Sequence, residues 1–320
     1  MGYHIVDDHP DDPRHLIPYV EFYITNVCNL NCDNCNRFNN HSFSGWQRWS
    51  DYEAQYESWA QHVRLQKVAI LGGEPLLNPS IIDWAKGINR IWRKTVQIQS
   101  NGTRLNKVPG LYELLLTSGI DTAAPWVRNT VGISLHNETD REKLYQEINK
   151  FLKPPIRVVN RGDPEDENNA TTHGAGRAFV DKNGVVIRVW DYDSFYNAAI
   201  TVNQQGRFTL HNNDATLAHN ECGFVRYKCY HFIKGGLYKC GPVALFPEFD
   251  QQFNLDISDE DRELINSYRP LRPQEFDQRG KQFLATLDDP IPQCKFCPVT
   301  YANKTIRAVS KKSNSVSGFE

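Results

Sequence analysis

Residues 19–36 read YVEFYITNVCNLNCDNCN, a strand-like run that leads directly into three closely spaced cysteines. The first seven of these residues, 19–25, are rich in β-branched and aromatic side chains, which predicts a strand. Cys28, Cys32 and Cys35 follow it within eight residues, so one loop can bring their thiols to a single centre. This stretch therefore predicts the first strand of a sheet, with a metal site on the loop behind it.

Strand-like and helical patterns continue to alternate beyond this loop. The further predicted strands are 67–72, 95–101, 130–136 and 156–160. Helices are predicted behind a capping box at Ser50-Asp51-Tyr52-Glu53, behind Asn78-Pro79, over 109–118 and from Asp140. Such alternation predicts right-handed βαβ units, and hence an α/β fold with a parallel sheet. A barrel and an open doubly wound sheet both satisfy the pattern, and both place the active site at the carboxyl ends of the strands.

The composition and charge of the chain exclude several classes of protein. With 320 residues, the chain is long enough for about two domains at ~150 residues each. Lys and Arg number 36 against 38 Asp and Glu, so no basic surface points to nucleic acid or to an acidic membrane. No apolar run approaches the ~18 residues of a membrane helix, and the acidic start contains no secretory signal. We therefore expect a cytoplasmic protein that binds neither nucleic acid nor membranes.

Three thiols on one loop favour a metal site that keeps an open position. A four-coordinate centre with three protein ligands leaves one position free, as catalytic metal sites do. Soft thiolates suit zinc or an iron–sulfur cluster. Structural zinc would need a fourth ligand, for which His41 or a cysteine from the C-terminal region is available. From the cysteines alone, both metals remain open.

The ends of three predicted strands carry small or polar residues that suit ligand binding. They are Gly72, Gly73, Glu74 and Pro75 after the second strand, Ser100 and Asn101 after the third, and Ser134 in the fourth. Two adjacent glycines let a backbone approach a ligand closely. Exposed carbonyls and the Glu74 carboxylate can accept hydrogen bonds from an ammonium group. The small polar side chains can bond to a ribose or a carboxylate.

Taken in order, these motifs resemble the radical S-adenosylmethionine (radical SAM) superfamily over roughly residues 19–210. The resemblance implies a partial (β/α)6 barrel, open on one side, and a [4Fe–4S] cluster held by Cys28, Cys32 and Cys35. It also implies that the amino and carboxylate groups of S-adenosylmethionine (SAM) chelate the fourth iron. Asn34 stands where the family usually has an aromatic residue, next to the third cysteine.

The resemblance also assigns expected SAM contacts. It places the motif Gly72, Gly73, Glu74 and Pro75 at the methionyl amino group of SAM. It places Ser100, Asn101 and Ser134 near the ribose and the methionyl carboxylate.

A second group of cysteines lies in the C-terminal region. It comprises Cys222, Cys229, Cys240, Cys294 and Cys297. Four thiolates close a metal site, which suits a structural or electron-transfer centre and leaves one thiol to spare. Structural zinc is the direct rival of an iron–sulfur cluster here.

The C-terminal segment is similar to the shortened auxiliary-cluster ("twitch") domain of some radical SAM enzymes. There a glycine hairpin delivers one cysteine ligand, which Gly235 and Cys240 match, and a CxxC pair such as Cys294 and Cys297 delivers two. The similarity implies an auxiliary [4Fe–4S] cluster. We favour Cys229 as the remaining ligand because it begins the hairpin that contains Gly235, with Cys222 as a spare thiol, although these two roles could be reversed.

These expectations divide the chain into four segments. Residues 1–18 are an N-terminal extension, 19–214 the radical SAM partial barrel, 215–302 the auxiliary-cluster domain and 303–320 a polar tail. Loop 161–176, rich in Asp, Asn and Gly, is either a substrate lid or a disordered excursion. A hairpin over 198–210 is expected to turn near Gln205-Gly206.

The family resemblance implies reductive cleavage of SAM to a 5′-deoxyadenosyl radical, which abstracts hydrogen from a substrate. A small-molecule or peptide substrate and a one-electron reductant such as flavodoxin or ferredoxin are the expected partners. An auxiliary cluster could take up the electron left on the substrate. The alternative from a different class is a zinc-stabilised binding module without catalysis.

Overall fold

The structure, a computed structural model, describes residues 11–41, 43–117, 128–135, 140–166, 171–172, 175–191 and 198–299, and the backbone of 309–311. The strands are β1 (His15–Tyr23), β2 (Leu30–Cys32), β3 (Val63–Leu71), β4 (Gln97–Ser100), β5 (Thr130–Leu135), β6 (Arg157–Asn160), β7 (Arg177–Val180), β8 (Val186–Asp191), β9 (Ile200–Val202), β10 (Phe208–Leu210), β11 (Cys229–Ile233), β12 (Gly236–Tyr238) and β13 (Val309–Lys311). The helices are α1 (Glu53–His62), α2 (Ile81–Trp92), α3 (Leu111–Leu116), α4 (Arg141–Phe151), α5 (Ala215–Asn220), α6 (Gly223–Arg226), α7 (Gly241–Phe253), α8 (Asp259–Ser267) and α9 (Lys281–Ala285). In this described part of the chain, no helix has the length and apolar character needed to cross a bilayer.

A nine-stranded sheet organises the described residues, in the order β12-β11-β1-β3-β4-β5-β8-β7-β6. The strands from β11 to β8 in this order are all parallel to their neighbours. Helices α1 and α2 connect successive parallel strands, as the alternating pattern predicts. The mixed α/β architecture fits the partial barrel expected of a radical SAM fold, and the carboxyl ends of β1, β3, β4 and β5 meet at one edge.

The last parallel strand is not the one that the sequence pattern predicts. Residues 156–160 form β6, but β6 pairs antiparallel with β7 at the edge of the sheet, and β8 lies beside β5. The reason is the short connection over 181–185, where Gly184 adopts a positive φ of 77°. A parallel crossover needs a dozen or more residues, so this turn forces β7 and β8 to run antiparallel.

The nine-stranded sheet extends across the predicted domain boundary at residue 214. Strand β11 pairs in parallel with β1, with Cys229 opposite Tyr19 and His231 opposite Glu21. The C-terminal segment therefore supplies two strands, β11 and β12, to the same sheet as the first cysteine loop. The predicted hairpin over 198–210 is confirmed as β9 and β10, which turn at Gly206.

Two of the predicted helix starts differ from the structure. The Ser50 hydroxyl donates a hydrogen bond to Asp51 rather than capping α1. The Asn78 side chain donates to the carbonyls of Ile24 and Gln47, at 3.0 Å each, so it holds β1 in place while Ser80 precedes α2. Both side chains therefore serve tertiary contacts that a local pattern does not reveal.

Two aromatic clusters hold the fold together. On the helix side of the sheet, the Phe22 ring packs against those of Tyr56 and Phe232, with centroids 5.2 Å and 5.1 Å away. On the other side, Phe38 from the first cysteine loop stacks on Phe246 of α7 at 5.8 Å and packs edge-on against Phe249. The second cluster fixes the cysteine loop to the C-terminal part of the protein.

Parts of two predicted loops are ordered. In the described part of loop 161–176, the Asp166 carboxylate accepts hydrogen bonds from the Thr171 and Thr172 amides at 3.1 Å and 2.9 Å. Strand β13, inside the predicted polar tail, pairs antiparallel with β2 of the cysteine loop. Backbone pairing explains this departure from a solvated tail; the rest of 303–320, and residues 1–10 of the N-terminal extension, lie outside the described residues.

Candidate functional site

The three thiols of the first loop lie close enough for the charges of Cys32 and Cys35 to act on the Cys28 thiol. Burial raises the pKa of the Cys28 thiol to about 12, and the negative charges of Glu74, Cys35 and Cys32 raise it further. Thiolates are the form that binds metal, so a bound cation would supply the charge that these buried groups need in order to ionise. The donor set fits a metal centre with three sulfur ligands and an open position.

A buried polar network positions the end of this loop. The Tyr23 hydroxyl donates to Asn26 Oδ1 at 2.6 Å, and Asn39 Nδ2 donates to the Asn26 carbonyl at 2.6 Å. The Cys35 thiol lies 3.9 Å from Asn39 Oδ1, within reach of a sulfur hydrogen bond. Because each of these groups has a partner inside the protein, the loop keeps a defined shape next to β1.

Asn34 adopts a left-handed backbone conformation, with φ of 54°. Asn populates this region more readily than bulky residues, for which it is strained. The departure from the family's aromatic residue at this position thus has a local backbone reason.

The glycine pair after β3 is required by close backbone packing. A Cβ on Gly72 would lie 2.5 Å from the Thr25 carbonyl oxygen, and one on Gly73 would lie 2.4 Å from the Val27 carbonyl oxygen and 2.8 Å from Cys28 Cβ. The amide of Gly73 donates to the Thr25 carbonyl at 2.7 Å. The end of β3 is therefore hydrogen-bonded to, and packed directly against, the segment that carries Cys28.

The Glu74 carboxylate has hydrogen-bond partners inside the protein. Its carboxylate is fully buried and accepts hydrogen bonds from the Leu76 amide at 2.9 Å, the Ser100 hydroxyl at 2.8 Å and the Asn101 amide at 2.7 Å. Burial raises its pKa to about 7, against the effect of these hydrogen bonds. With 0 % exposure, the side chain ties the end of β3 to the end of β4, and its expected contact with SAM stays a prediction.

The other expected SAM contacts divide into buried supports and accessible groups. Ser100 is buried, donates to Glu74 and accepts from the Gly102 amide at 2.9 Å. Asn101 is half-buried, and its Nδ2 donates to Asn29 Oδ1 at 3.0 Å. Ser134 in β5 is half-buried, and Pro75 is buried at the start of a 3-10 turn. Asn101 and Ser134, with the glycine backbone, are the groups that a ligand at this edge can reach.

Four of the C-terminal thiols form a second neighbourhood. Burial raises the pKa of the Cys297 thiol well above its ordinary value, and the charges of Cys240, Cys222 and Cys294 act in the same direction. Three of these cysteines, at positions 222, 240 and 297, line a cavity of about 190 Å³. This donor set fits a closed four-thiolate centre.

Cys229 belongs to a different environment. It lies in β11, 3 % exposed, and burial followed by the charge of Glu21 raises its pKa well above the ordinary value. Cys229 also lines the cavity, but it is the charge of Cys222 that acts on the thiols of Cys240, Cys294 and Cys297, which favours Cys222 as the fourth member. The sequence pattern does not reveal that β11 joins β1, the pairing that places Cys229 in the sheet, and the identity of the fourth ligand stays a prediction.

Comparison with known proteins matches this part of the chain to a family. A family model of the Radical SAM superfamily matches residues 22–157, the stretch that contains the cysteine loop, the glycine pair and the ends of β4 and β5. Residues 22–157 thus form a radical SAM domain. The match to this superfamily implies SAM and a [4Fe–4S] cluster and supports an enzyme.

Known relatives of this radical SAM enzyme cover part of the chain. A probable GTP 3′,8-cyclase of Methanothermobacter thermautotrophicus is 33 % identical over 98 residues, which is 31 % of this chain and 31 % of the relative. Among solved structures, native anSMEcpe with bound AdoMet and the Cp18Cys peptide is 17 % identical, with a TM-score of 0.30 over 43 % of this chain and 40 % of that one. Hexahistidine-tagged anSMEcpe with bound AdoMet gives 16 % identity and a TM-score of 0.30, over 42 % and 41 % of the two chains.

Proposed function

We propose that this enzyme cleaves SAM reductively and uses the resulting 5′-deoxyadenosyl radical to remove a hydrogen atom from its substrate. Cys28, Cys32 and Cys35 would hold the [4Fe–4S] cluster. When bound, the cluster supplies one electron that breaks the C5′–S bond of SAM, giving methionine and the radical. The observation that carries this proposal is the shared neighbourhood of the three thiols, against which the glycine pair is packed.

The residues of the chain would bind and orient SAM at the edge formed by β3, β4 and β5. The backbone around Gly72 and Gly73 packs directly against the segment that carries Cys28, and its carbonyls suit the methionyl amino group. Asn101 and Ser134 are accessible at the ends of the next strands and suit the ribose and the carboxylate. Glu74 contributes indirectly, since it fixes β3 relative to β4.

The inward face of the parallel sheet suits the substrate. Side chains that face the helices, such as Val68 and Ile98, belong to the apolar core. The alternate positions carry polar side chains, including Lys67, whose Nζ lies 4.6 Å from the centre of the Tyr19 ring, and Gln99. A small molecule or a peptide segment with polar groups fits this lining.

The second thiol group would hold an auxiliary [4Fe–4S] cluster, with Cys222, Cys240, Cys294 and Cys297 as ligands. After hydrogen abstraction, the substrate radical can lose one electron and one proton, so that the product is oxidised by two electrons in total. A centre in the C-terminal cavity is suited to receive that electron. The initial cleavage of SAM consumes one electron, so a one-electron reductant such as flavodoxin or ferredoxin is the proposed partner.

Anaerobic reconstitution followed by metal analysis and product analysis tests this function. The wild-type enzyme should contain about eight iron atoms and form 5′-deoxyadenosine from SAM and dithionite. Cys222→Ala should retain about four iron atoms and still form 5′-deoxyadenosine, whereas Cys229→Ala should retain about eight. Loss of iron in Cys229→Ala but not in Cys222→Ala would overturn the ligand set, and zinc in place of iron at the second site would overturn the auxiliary cluster.

A further inference from the structure

A buried guanidinium lies between the two thiol groups. Arg37 follows Cys35 by two residues, yet its side chain reaches the wall of the C-terminal cavity and is only 6 % exposed. Its Nη2 lies 2.7 Å from Glu21 Oε2 and 2.8 Å from His231 Nε2, and its Cζ lies 4.8 Å from the centre of the Phe224 ring. Glu21 and Phe224 both line the cavity, so Arg37 packs directly behind two residues of the cavity wall.

Two of the nitrogen atoms of Arg37 are unsatisfied. Within the described part of the chain, Nε and Nη1 are buried without a hydrogen-bond partner. A Cβ placed on Gly241 would lie 2.8 Å from Nη1, so this nitrogen lies directly against the residue that follows Cys240. The charge of Arg37 also acts on the Cys240 thiol. Buried N–H donors without an acceptor are costly, which points to a partner that the protein itself does not supply.

A simple metal ion is not that partner. Glu21, Cys229 and His231 bring a carboxylate, a thiol and an imidazole within 4.8 Å of one another, which is a possible ligand set. The guanidinium already bonds to two of the three, however, and a second cation beside it would be repelled. Glu21 instead balances the charge of Arg37 and fixes its position, and the unsatisfied Nη1, which lies against Gly241 next to Cys240, suits an anionic acceptor held by that cysteine.

We propose that Arg37 is a positioning residue for the auxiliary cluster, to whose sulfur atoms its free N–H groups donate hydrogen bonds. This inference rests on the proposed auxiliary cluster at Cys222, Cys240, Cys294 and Cys297. Hydrogen bonds to cluster sulfur and a nearby buried positive charge favour the reduced, more negative form, and so raise the reduction potential. Arg37 would thus make the auxiliary cluster a better acceptor for the electron that leaves the substrate.

A redox titration followed by electron paramagnetic resonance tests this role. The parent for the titration is the full-length variant in which the three cysteines of the first site are alanine, so that only the auxiliary cluster contributes. In that parent, Arg37→Gln should lower the ratio of reduced to oxidised cluster about tenfold at a fixed potential, a shift of 59 mV for a one-electron couple. The resonance line shape should also change, while iron and sulfide contents stay at the parent level.

Two further variants keep the test decisive if Arg37→Gln does not fold. Glu21→Gln combined with Arg37→Gln removes both charges of the pair, and Gly241→Ala pushes the guanidinium away from the cavity without removing it. Both should shift the ratio in the same direction. Lys239→Gln is the matched control, because the charge of Lys239 acts on Cys294 from a half-buried position without a hydrogen bond to Arg37, and we expect less than a twofold change.

The outcomes separate the inference from the proposed function. An auxiliary cluster whose ratio stays within twofold of the parent in the Arg37 and Gly241 variants would overturn the role of Arg37 alone. A shift in Lys239→Gln as large as that in Arg37→Gln would also overturn it, since unspecific charge would then explain the effect. A parent that binds no iron at the second site would overturn the auxiliary cluster itself.

Discussion

The packing of Gly73 against the cysteine loop predicts that Gly73→Ala removes the first cluster. The added Cβ would lie 2.4 Å from the Val27 carbonyl oxygen, 2.7 Å from its carbon and 2.8 Å from Cys28 Cβ. All three atoms belong to a segment held by hydrogen bonds, so the contact is relieved only if the loop moves. Overpacking of this kind costs about 1–3 kcal/mol.

Movement of the loop adds a second cost. The hydrogen bonds from the Gly73 amide to Thr25, at 2.7 Å, and from the Glu74 amide to Val27, at 2.8 Å, would lengthen. Each contributes about 0.5–1.5 kcal/mol, so the total destabilisation should be about 2–6 kcal/mol. Because Cys28 moves with Val27, its thiol would no longer meet those of Cys32 and Cys35.

Denaturant unfolding of the apoprotein and iron analysis of the reconstituted protein measure the two effects. Gly206→Ala is the matched control, because Gly206 has a constrained hairpin φ of 75° and nothing within 4 Å of the added Cβ. The control should lose about 1–2 kcal/mol but keep all its iron. Gly73→Ala with wild-type iron content and wild-type formation of 5′-deoxyadenosine would refute the argument that this contact positions Cys28.

Three further predictions follow from the supports of the site. Glu74→Gln should destabilise the protein by about 1–3 kcal/mol at pH 7.5, because the new side-chain NH₂ group would face the N–H of Asn101. Denaturant unfolding measures this destabilisation, and an unchanged midpoint would contradict the role of Glu74 in joining β3 to β4. Since the pKa of Glu74 rises from 4.5 to about 7 on folding, the pH-dependent part of its contribution to stability is full below about pH 4.5 and is lost as the pH rises through about 7, while the hydrogen bonds to its carboxylate remain. Glu74→Gln should lack this pH dependence, and identical slopes in both proteins would show that Glu74 does not titrate there. Phe38→Ala should cost about 3–5 kcal/mol and lower the iron content, because Phe38 is fully buried against Phe246 and Phe249, and full iron retention would show that this cluster does not position the loop.

The local sequence predicted the elements of the site better than their roles. The strand at 19–25, the three cysteines behind it and the glycine pair behind the next strand are local features, and the structure brings them together at one edge. Glu74 illustrates the limit. Its position in the motif was predicted, but only the distances to Ser100 and Asn101 show that its carboxylate accepts hydrogen bonds from both residues inside the protein.

The connections that sequence periodicity could not predict are long-range. Strand β11 lies more than 200 residues after β1 in the chain and is buried on both faces, so no local apolar–polar alternation indicates that it joins the sheet. The antiparallel turn before β8 likewise depends on one short connection at Gly184.

Formation of 5′-deoxyadenosine by Cys32→Ala tests the central claim most directly. We predict that the reconstituted variant retains the iron of the C-terminal site, about four atoms per chain, and forms no 5′-deoxyadenosine from SAM and dithionite, while the wild-type enzyme forms it under the same conditions. Formation at the wild-type rate by Cys32→Ala would contradict the claim that the first cysteine loop holds the centre at which SAM is cleaved.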